Sequence, residues 1–317
     1  MSALSEANLI ARMCERVPVP DPPAGPGDDA SIEGRRATTV DLMVEGVHFV
    51  RAHPPAWLGH KLLAVNLSDV GAMGAVPEAF VLTAALPEDT PPAWWDALAS
   101  GVGGLAREAG VVLVGGDVTR SPGPVMLGVT AWGHVAAAGP LKRTGGQPEE
   151  LLMLHAKQGV GRSAQGLARW LEQAGDGWGM ETPEEAEPCL RAHLRPETSW
   201  RQGPWAVAHD ATAGMDCSDG LLMDAARLAD QSGVHLEIDL GLLPEDPTCG
   251  CMSLEARAAG AEDYGLLVLV PPARRGVFEE AGFVLLGRAS AGVGVTWHLH
   301  GEPISPSVAP FAHFSLR

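Results

Sequence analysis

Apolar residues recur at helical spacing between positions 3 and 17, Leu4, Ile10, Met13 and Val17 among them, which predicts a short helix. The proline-rich run VPVPDPPAGPGDD that follows forbids regular structure, so a loop delivers two aspartates. Period-two and continuous apolar runs predict strands at 37 to 50, 78 to 86, 111 to 115 and 124 to 136. Helical periodicity predicts helices at 56 to 73 and 92 to 109. The alternation describes an α/β or α+β first half.

Near 137 to 148, the run AAAGPLKRTGGQPEE is rich in small and turn-forming residues and predicts a junction, giving domains at 1–138 and 139–317. Beyond it the pattern predicts a strand at 150 to 156, a helix around 163 to 174 and a polar, proline-containing stretch through 176 to 200. A strand at 213 to 217, a helix at 219 to 231 and the strand VHLEIDL complete the pattern. No 20-to-50-residue period is visible, which argues against solenoids and propellers.

Composition narrows the function classes. A chain of 317 residues is long enough for two cores, and 46% hydrophobic with 19% charged residues is ordinary for a globular protein. The formal charge of -17 and pI near 5.0 repel nucleic acid and anionic membranes, so a phosphate-rich substrate needs locally bound cations. Five cysteines without disulfide-framework spacing fit a reducing cytoplasm. The first residues lack a basic segment followed by an apolar one, and no window approaches ~18 apolar residues, so neither a signal peptide nor a membrane span is expected.

Four segments share one design, an apolar stretch or glycine turn ending on aspartate: GDDAS (27 to 31), VNLSD (65 to 69), LVGGDVTR (113 to 120) and MDCSDG (215 to 220). Magnesium takes oxygen ligands and binds through one or two carboxylates plus phosphate oxygens and water. In LVGGDVTR, Gly115 and Gly116 would let backbone N–H groups approach a phosphate while Asp117 holds a metal. In isolation GGD reads rather as a tight turn with a solvated aspartate. Asn66 and Asp69, three apart on a helix, share a face that is either a site or a solvated surface. Asp216 or Ser218 would serve as N-cap of the following helix. Four such turns in one chain, with no Walker loop, point to a phosphate site built on metals.

The succession GDDAS, DLMVEGVHF, HKLLAVNLSDVGAMGA, LVGGDVTR, LKRTGG, MDCSDGLLMDAARLADQSG and GAEDYGLLV resembles the thiamine-monophosphate kinase family. That family sits in the superfamily of aminoimidazole ribonucleotide synthetase and selenophosphate synthetase. The resemblance runs in order along nearly the whole chain. It implies a two-domain, PurM-like α+β fold, with an N-terminal mixed sheet at a homodimer interface and the nucleotide near it. It also implies ATP-dependent phosphorylation of thiamine monophosphate to thiamine diphosphate by direct in-line transfer, with several Mg2+ ions.

Carried over residue by residue, the resemblance makes Asp29, Asp69, Asp117, Asp216 and Asp219 magnesium ligands, with Thr39 and Asp41 adding to them. It puts Gly116, Asp117, Arg143 and Ser218 on ATP, and His48, Glu262 and Phe311 around thiamine monophosphate. Arg143 has the planar fork that suits phosphate, although a junction arginine is equally a surface charge. Phe311 would stack on a ring of the acceptor or be a C-terminal core residue, and His48 is otherwise a satisfied strand histidine.

Two departures stand out. Ser/Thr-Thr-Asp of many relatives is Thr39-Val40-Asp41 here, leaving Val40 only its backbone carbonyl for a metal. The expected Gly-Gly-Glu-Asp-Tyr-Glu ends on Gly265, one acidic group fewer near the acceptor. A monoester phosphate is already ionised near neutral pH, so no essential catalytic histidine or cysteine is expected. The pairs His298/His300 and Cys249/Cys251 have metal-ligand residue types but too few ligands. Rival readings are a selenophosphate synthetase or aminoimidazole ribonucleotide synthetase relative, or a silent nucleotide-binding protein; the first would need a reactive cysteine in an N-terminal glycine-rich loop.

Overall fold

The computed structural model describes residues 6–19, 27–181, 183–250 and 252–308. Its first half contains α1 (Glu6–Cys14), β1 (Ser31–Glu33), β2 (Arg36–Val44), α2 (Pro55–Ala72), β3 (Ala75–Leu86), α3 (Pro92–Ala109), β4 (Val112–Arg120) and β5 (Met126–Val135). The strands form one sheet in the order β1-β2-β5-β3-β4, antiparallel except for β3 with β4. Alternate residues Met43, Phe80, Leu127, Val129 and Ala131 face a core shared with α2 and α3. Val40 and Leu42 lie on the opposite, open face.

The second half contains β6 (Leu151–His155), α4 (Arg162–Gln173), α5 (Pro188–Leu194), α6 (Gln202–Ala208), β7 (Ala213–Cys217), α7 (Leu221–Ser232) and β8 (Val234–Asp239). Then come α8 (Leu254–Ala259), β9 (Gly265–Val270), α9 (Arg275–Glu280), β10 (Val284–Ala291), β11 (Gly294–Leu299) and β12 (Glu302–Ile304). Their sheet runs β12-β11-β8-β10-β6-β9-β7, with β8 and β11 parallel and the other pairings antiparallel. Mixed sheets with helices grouped beside them make this an α+β fold.

Helix α2 holds the halves together. It opens on Pro54-Pro55, where the missing N–H costs nothing, and is apolar almost all round because protein covers nearly every side. Against α3 the backbones touch: a Cβ at Gly101 would lie 1.8 Å from the Ala56 carbonyl oxygen, and one at Gly59 2.1 Å from that of Leu98. Its C-terminal end meets the second half, where a Cβ at Gly203 would lie 1.7 Å from the Gly71 oxygen.

Three local expectations are corrected. The strand expected to stop at 115 runs on to Arg120, so Gly115, Gly116 and Asp117 are inside β4, held by parallel pairing to β3, and form no turn. Asp216 and Cys217 end β7, and α7 starts after Gly220 with no side-chain cap, so neither Asp216 nor Ser218 caps it. The polar stretch 176 to 200 includes α5, capped by the Glu187 carboxylate, which accepts from the Cys189 N–H at 3.2 Å. No helix among the described residues is long and apolar enough to cross a membrane.

Candidate active site: a buried aspartate cluster

The ends of β2, α2 and β7 bring together carboxylates far apart in sequence. Asn66 and Asp69, on one face of α2, both meet β2. The Asn66 Oδ1 accepts from the Asp41 N–H at 3.2 Å, and Asp69 Oδ2 accepts from the Thr39 hydroxyl at 2.6 Å. One turn position away, the Ser68 hydroxyl donates to Asp216 Oδ2 at 2.9 Å, tying α2 to β7. Asp29 closes the cluster: its Oδ2 accepts from the Asp216 N–H at 3.1 Å, and its Oδ1 accepts from Arg143 Nε at 3.1 Å and from Arg143 Nη2.

These carboxylates are short of positive charge. Burial pushes Asp69 well above the carboxylate range, and the neighbouring Asp41, Asp216 and Asp29 push it further. Burial, then Asp29 and Asp224, do the same to Asp216. Asp41 is pushed up to about 6 by burial. Asp29 is raised by burial despite the Arg143 guanidinium bonded to it. Among the described residues, no three carboxylates, imidazoles or thiols already close on one point as a finished metal centre. Serine, threonine, arginine and backbone donors occupy the carboxylate oxygens instead.

Ser218 donates to Asp216 Oδ1 at 3.2 Å, at the cluster's edge. Asp219 lies just beyond, ion-paired with Arg227, and its N–H donates to Asp224 Oδ2 at 3.0 Å. Asp224, which sequence reading missed, is wholly buried and pushed up to about 7, by burial first and then by Asp219. Its place in SDGLLMD was the available signal. Gly116 and Asp117 stand apart on β4, whose nine residues are all exposed, with Asp117 in register with Thr83. Val40 is exposed on the open sheet face.

His48 sits in the turn after β2, where its Nδ1 accepts from the Val44 N–H at 3.0 Å, so the proton is on Nε2. Glu262 follows β7 in space, its N–H donating to the Ser218 carbonyl at 2.7 Å, its carboxylate ion-paired with Lys61 and 3.0 Å from His193 Nδ1. Lys61 and His193 were not singled out from sequence; the pairing joins three distant stretches and has no local signature. Phe311 lies outside the described residues.

Two mixed sheets bridged by a buried helix, with an acidic cluster at the join, define a protein of the aminoimidazole ribonucleotide synthetase class. The family model for AIR synthase related protein, N-terminal domain, matches residues 27–135, and that for the C-terminal domain matches 147–298. Thiamine-monophosphate kinase of Salmonella typhimurium strain LT2 is 32% identical, covering 99% of both chains. The enzyme of Mycobacterium tuberculosis strain H37Rv is 32% identical over 88% of this chain and 86% of its own. A solved structure of AaThiL complexed with AMPPCP and TMP superposes with a TM-score of 0.81 at 29% identity, over 98% of this chain and 97% of that one. The chain belongs to the thiamine-monophosphate kinase family, and is a kinase by that membership.

Proposed function

We propose that the protein transfers the γ-phosphoryl group of ATP to the phosphate of thiamine monophosphate, giving thiamine diphosphate and ADP. The observation that carries this is the convergence of Asp29, Asp41, Asp69 and Asp216, each raised above its ordinary pKa by burial. The related AaThiL structure, complexed with AMPPCP and TMP, supports the choice of substrates.

Hard oxygen donors in a negative, largely dry pocket fit magnesium. Asp29, Asp41, Asp69 and Asp216 would hold it, with Thr39, the Val40 carbonyl and Asp219 as further ligands, while Asp117, apart from them on β4, would hold a separate ion. Bound there, Mg2+ supplies charge neutralisation between two anionic phosphates. The protein's own residues do the positioning. Arg143 presents a guanidinium fork beside Asp29 and takes a phosphate oxygen, joined by the Ser218 hydroxyl and the Gly116 and Asp117 backbone. His48, Glu262 and Phe311 hold the acceptor.

An acceptor phosphate oxygen forms the new bond to the γ-phosphorus as the bond to the β-bridging oxygen breaks. The monoester's second pKa is roughly 6, so the nucleophile needs no base. Burial raises the Cys217, Cys249 and Cys189 thiols, Cys249 to about 12, which disfavours a thiolate nucleophile and supports direct transfer.

Two copies would pack through the open sheet face, where Val40 and Leu42 are each more than half exposed. The strong negative charge opposes nucleic-acid and membrane partners, and free buried thiols suit the cytoplasm. Purified protein with ATP and Mg2+ should convert thiamine monophosphate, and neither an aminoimidazole precursor nor selenide, to a phosphorylated product with one ADP each. ADP formed equally with all three, or with none, overturns the reading.

A further inference from the structure

Outside the aspartate cluster, α2 carries a completely buried charged residue. Lys61, on α2, is 0% exposed, and its Nζ lies 2.9 Å from Glu262 Oε1. The other oxygen, Oε2, is 3.0 Å from Nδ1 of His193, a buried residue of α5. Burial and the Lys61 charge keep His193 from protonating, so a neutral imidazole faces the carboxylate. Behind it, the buried His53 ring sits 6.2 Å away and anchors through Nε2 to the Leu194 carbonyl, at 2.9 Å, fixing the end of α5.

Glu262 itself is unusually constrained. Its φ is 66° and that of Tyr264 is 50°, a left-handed backbone at two side-chain-bearing residues. Backbone bonds to Ser218 and Cys217 pin this turn against the end of β7. Burial alone would raise the carboxyl, yet the Lys61 charge and then the His193 bond hold it well below the usual range. A carboxylate has about four lone-pair directions, and Lys61 and His193 each approach one of its oxygens. With 24% of the side chain exposed, the remainder can face a ligand.

We infer that Lys61 and His193 are positioning residues that orient the Glu262 carboxylate toward the acceptor's cationic or amino-bearing ring, and so set acceptor affinity without touching ATP. This rests on the reading of Glu262 as an acceptor contact. A buried ion pair placed only for stability is a poor investment, since apolar side chains of similar volume serve as well or better. A strained turn carrying an oriented carboxylate beside a phosphate site is consistent with recognition.

Steady-state kinetics of the full-length protein, with ATP and thiamine monophosphate varied separately, tests it. Lys61→Met and His193→Leu should each raise KM for thiamine monophosphate about tenfold or more, leaving KM for ATP within about twofold. Lys61→Arg and His193→Gln, which keep a donor, should recover part of the loss. Melting curves identify any variant that does not fold, and the His193 pair carries the test if Lys61→Met fails. Wild type that saturates with thiamine monophosphate, alongside folded variants that shift both KM values equally or neither, overturns the positioning role alone. Wild type with no turnover of thiamine monophosphate removes the acceptor reading and this inference together.

Discussion

The backbone N–H of Asp216 donates to the carboxylate of Asp29 at 3.1 Å, joining residues 187 positions apart. The contact binds the loop before β1 to the last residues of β7, so the two halves of the chain share one acidic cleft. Neither half alone holds the cluster, which places its charge balance at the centre of both stability and activity.

Replacing one of these carboxylates should separate activity from stability. Asp216→Asn keeps one oxygen, for Ser68 or Ser218, and removes a charge that burial and Asp29 oppose. Turnover should fall by about 10²–10³-fold or more, as when a single group stabilising transition-state charge is lost. Metal-free melting should hold or rise, by about 1 kcal/mol in stability, as expected where an active site stores repulsion. Near-normal turnover in a folded variant would remove Asp216 from the machinery.

The same repulsion fixes the sign of a pH effect. Asp41 titrates near 6 and Asp224 near 7 in the folded chain, against an ordinary 3.8. Between those values the folded state holds protons that the unfolded chain has released, so metal-free stability is greatest at the acid end and falls as pH rises through about 7. Magnesium held by Asp41 would have to displace its proton, so its affinity should climb over the same interval. Melting curves from pH 5 to 8 with and without Mg2+, each pH near those values of about 6 and 7, should converge at low pH and diverge at high pH.

Leu42, more than half exposed on the open face and opposite Gly128 of β5, is where a second copy would pack. Leu42→Asp should convert a dimer to monomers in sedimentation or light scattering at micromolar concentration, because a buried unpaired charge there has no partner. A wild-type monomer, or a variant that remains dimeric, would move the interface elsewhere.

Much of this arrangement was legible in the sequence, wherever local pattern and final structure agree. Spacing alone put Asn66 and Asp69 on one helical face, and both meet β2. Helices expected at 56 to 73 and 92 to 109 are α2 and α3 within a residue. Gly115-Gly116-Asp117 looked like a turn because glycine weakens an isolated strand; pairing with β3, a non-local contact, keeps it extended. A charged residue such as Lys61 inside an apolar helix stretch gave no hint that Glu262, some two hundred residues later, would neutralise it.

Glycines at the α2–α3 crossing define a further test. Gly101→Ala would put a methyl 1.8 Å from the Ala56 oxygen, which only backbone movement relieves. A loss of about 1–3 kcal/mol or more is expected from such overpacking, read as a lowered denaturant midpoint. Gly104→Ala, with open space around it, should be neutral or slightly stabilising through helix propensity.

Crystals grown with Mn2+ and a non-hydrolysable ATP analogue, and measured for anomalous scattering, address the role of the aspartate cluster directly. Metal peaks bridging the triphosphate to Asp29, Asp41, Asp69 and Asp216 are the expected result. Bound nucleotide with no metal near those four side chains, or with its phosphates remote from them, would contradict it.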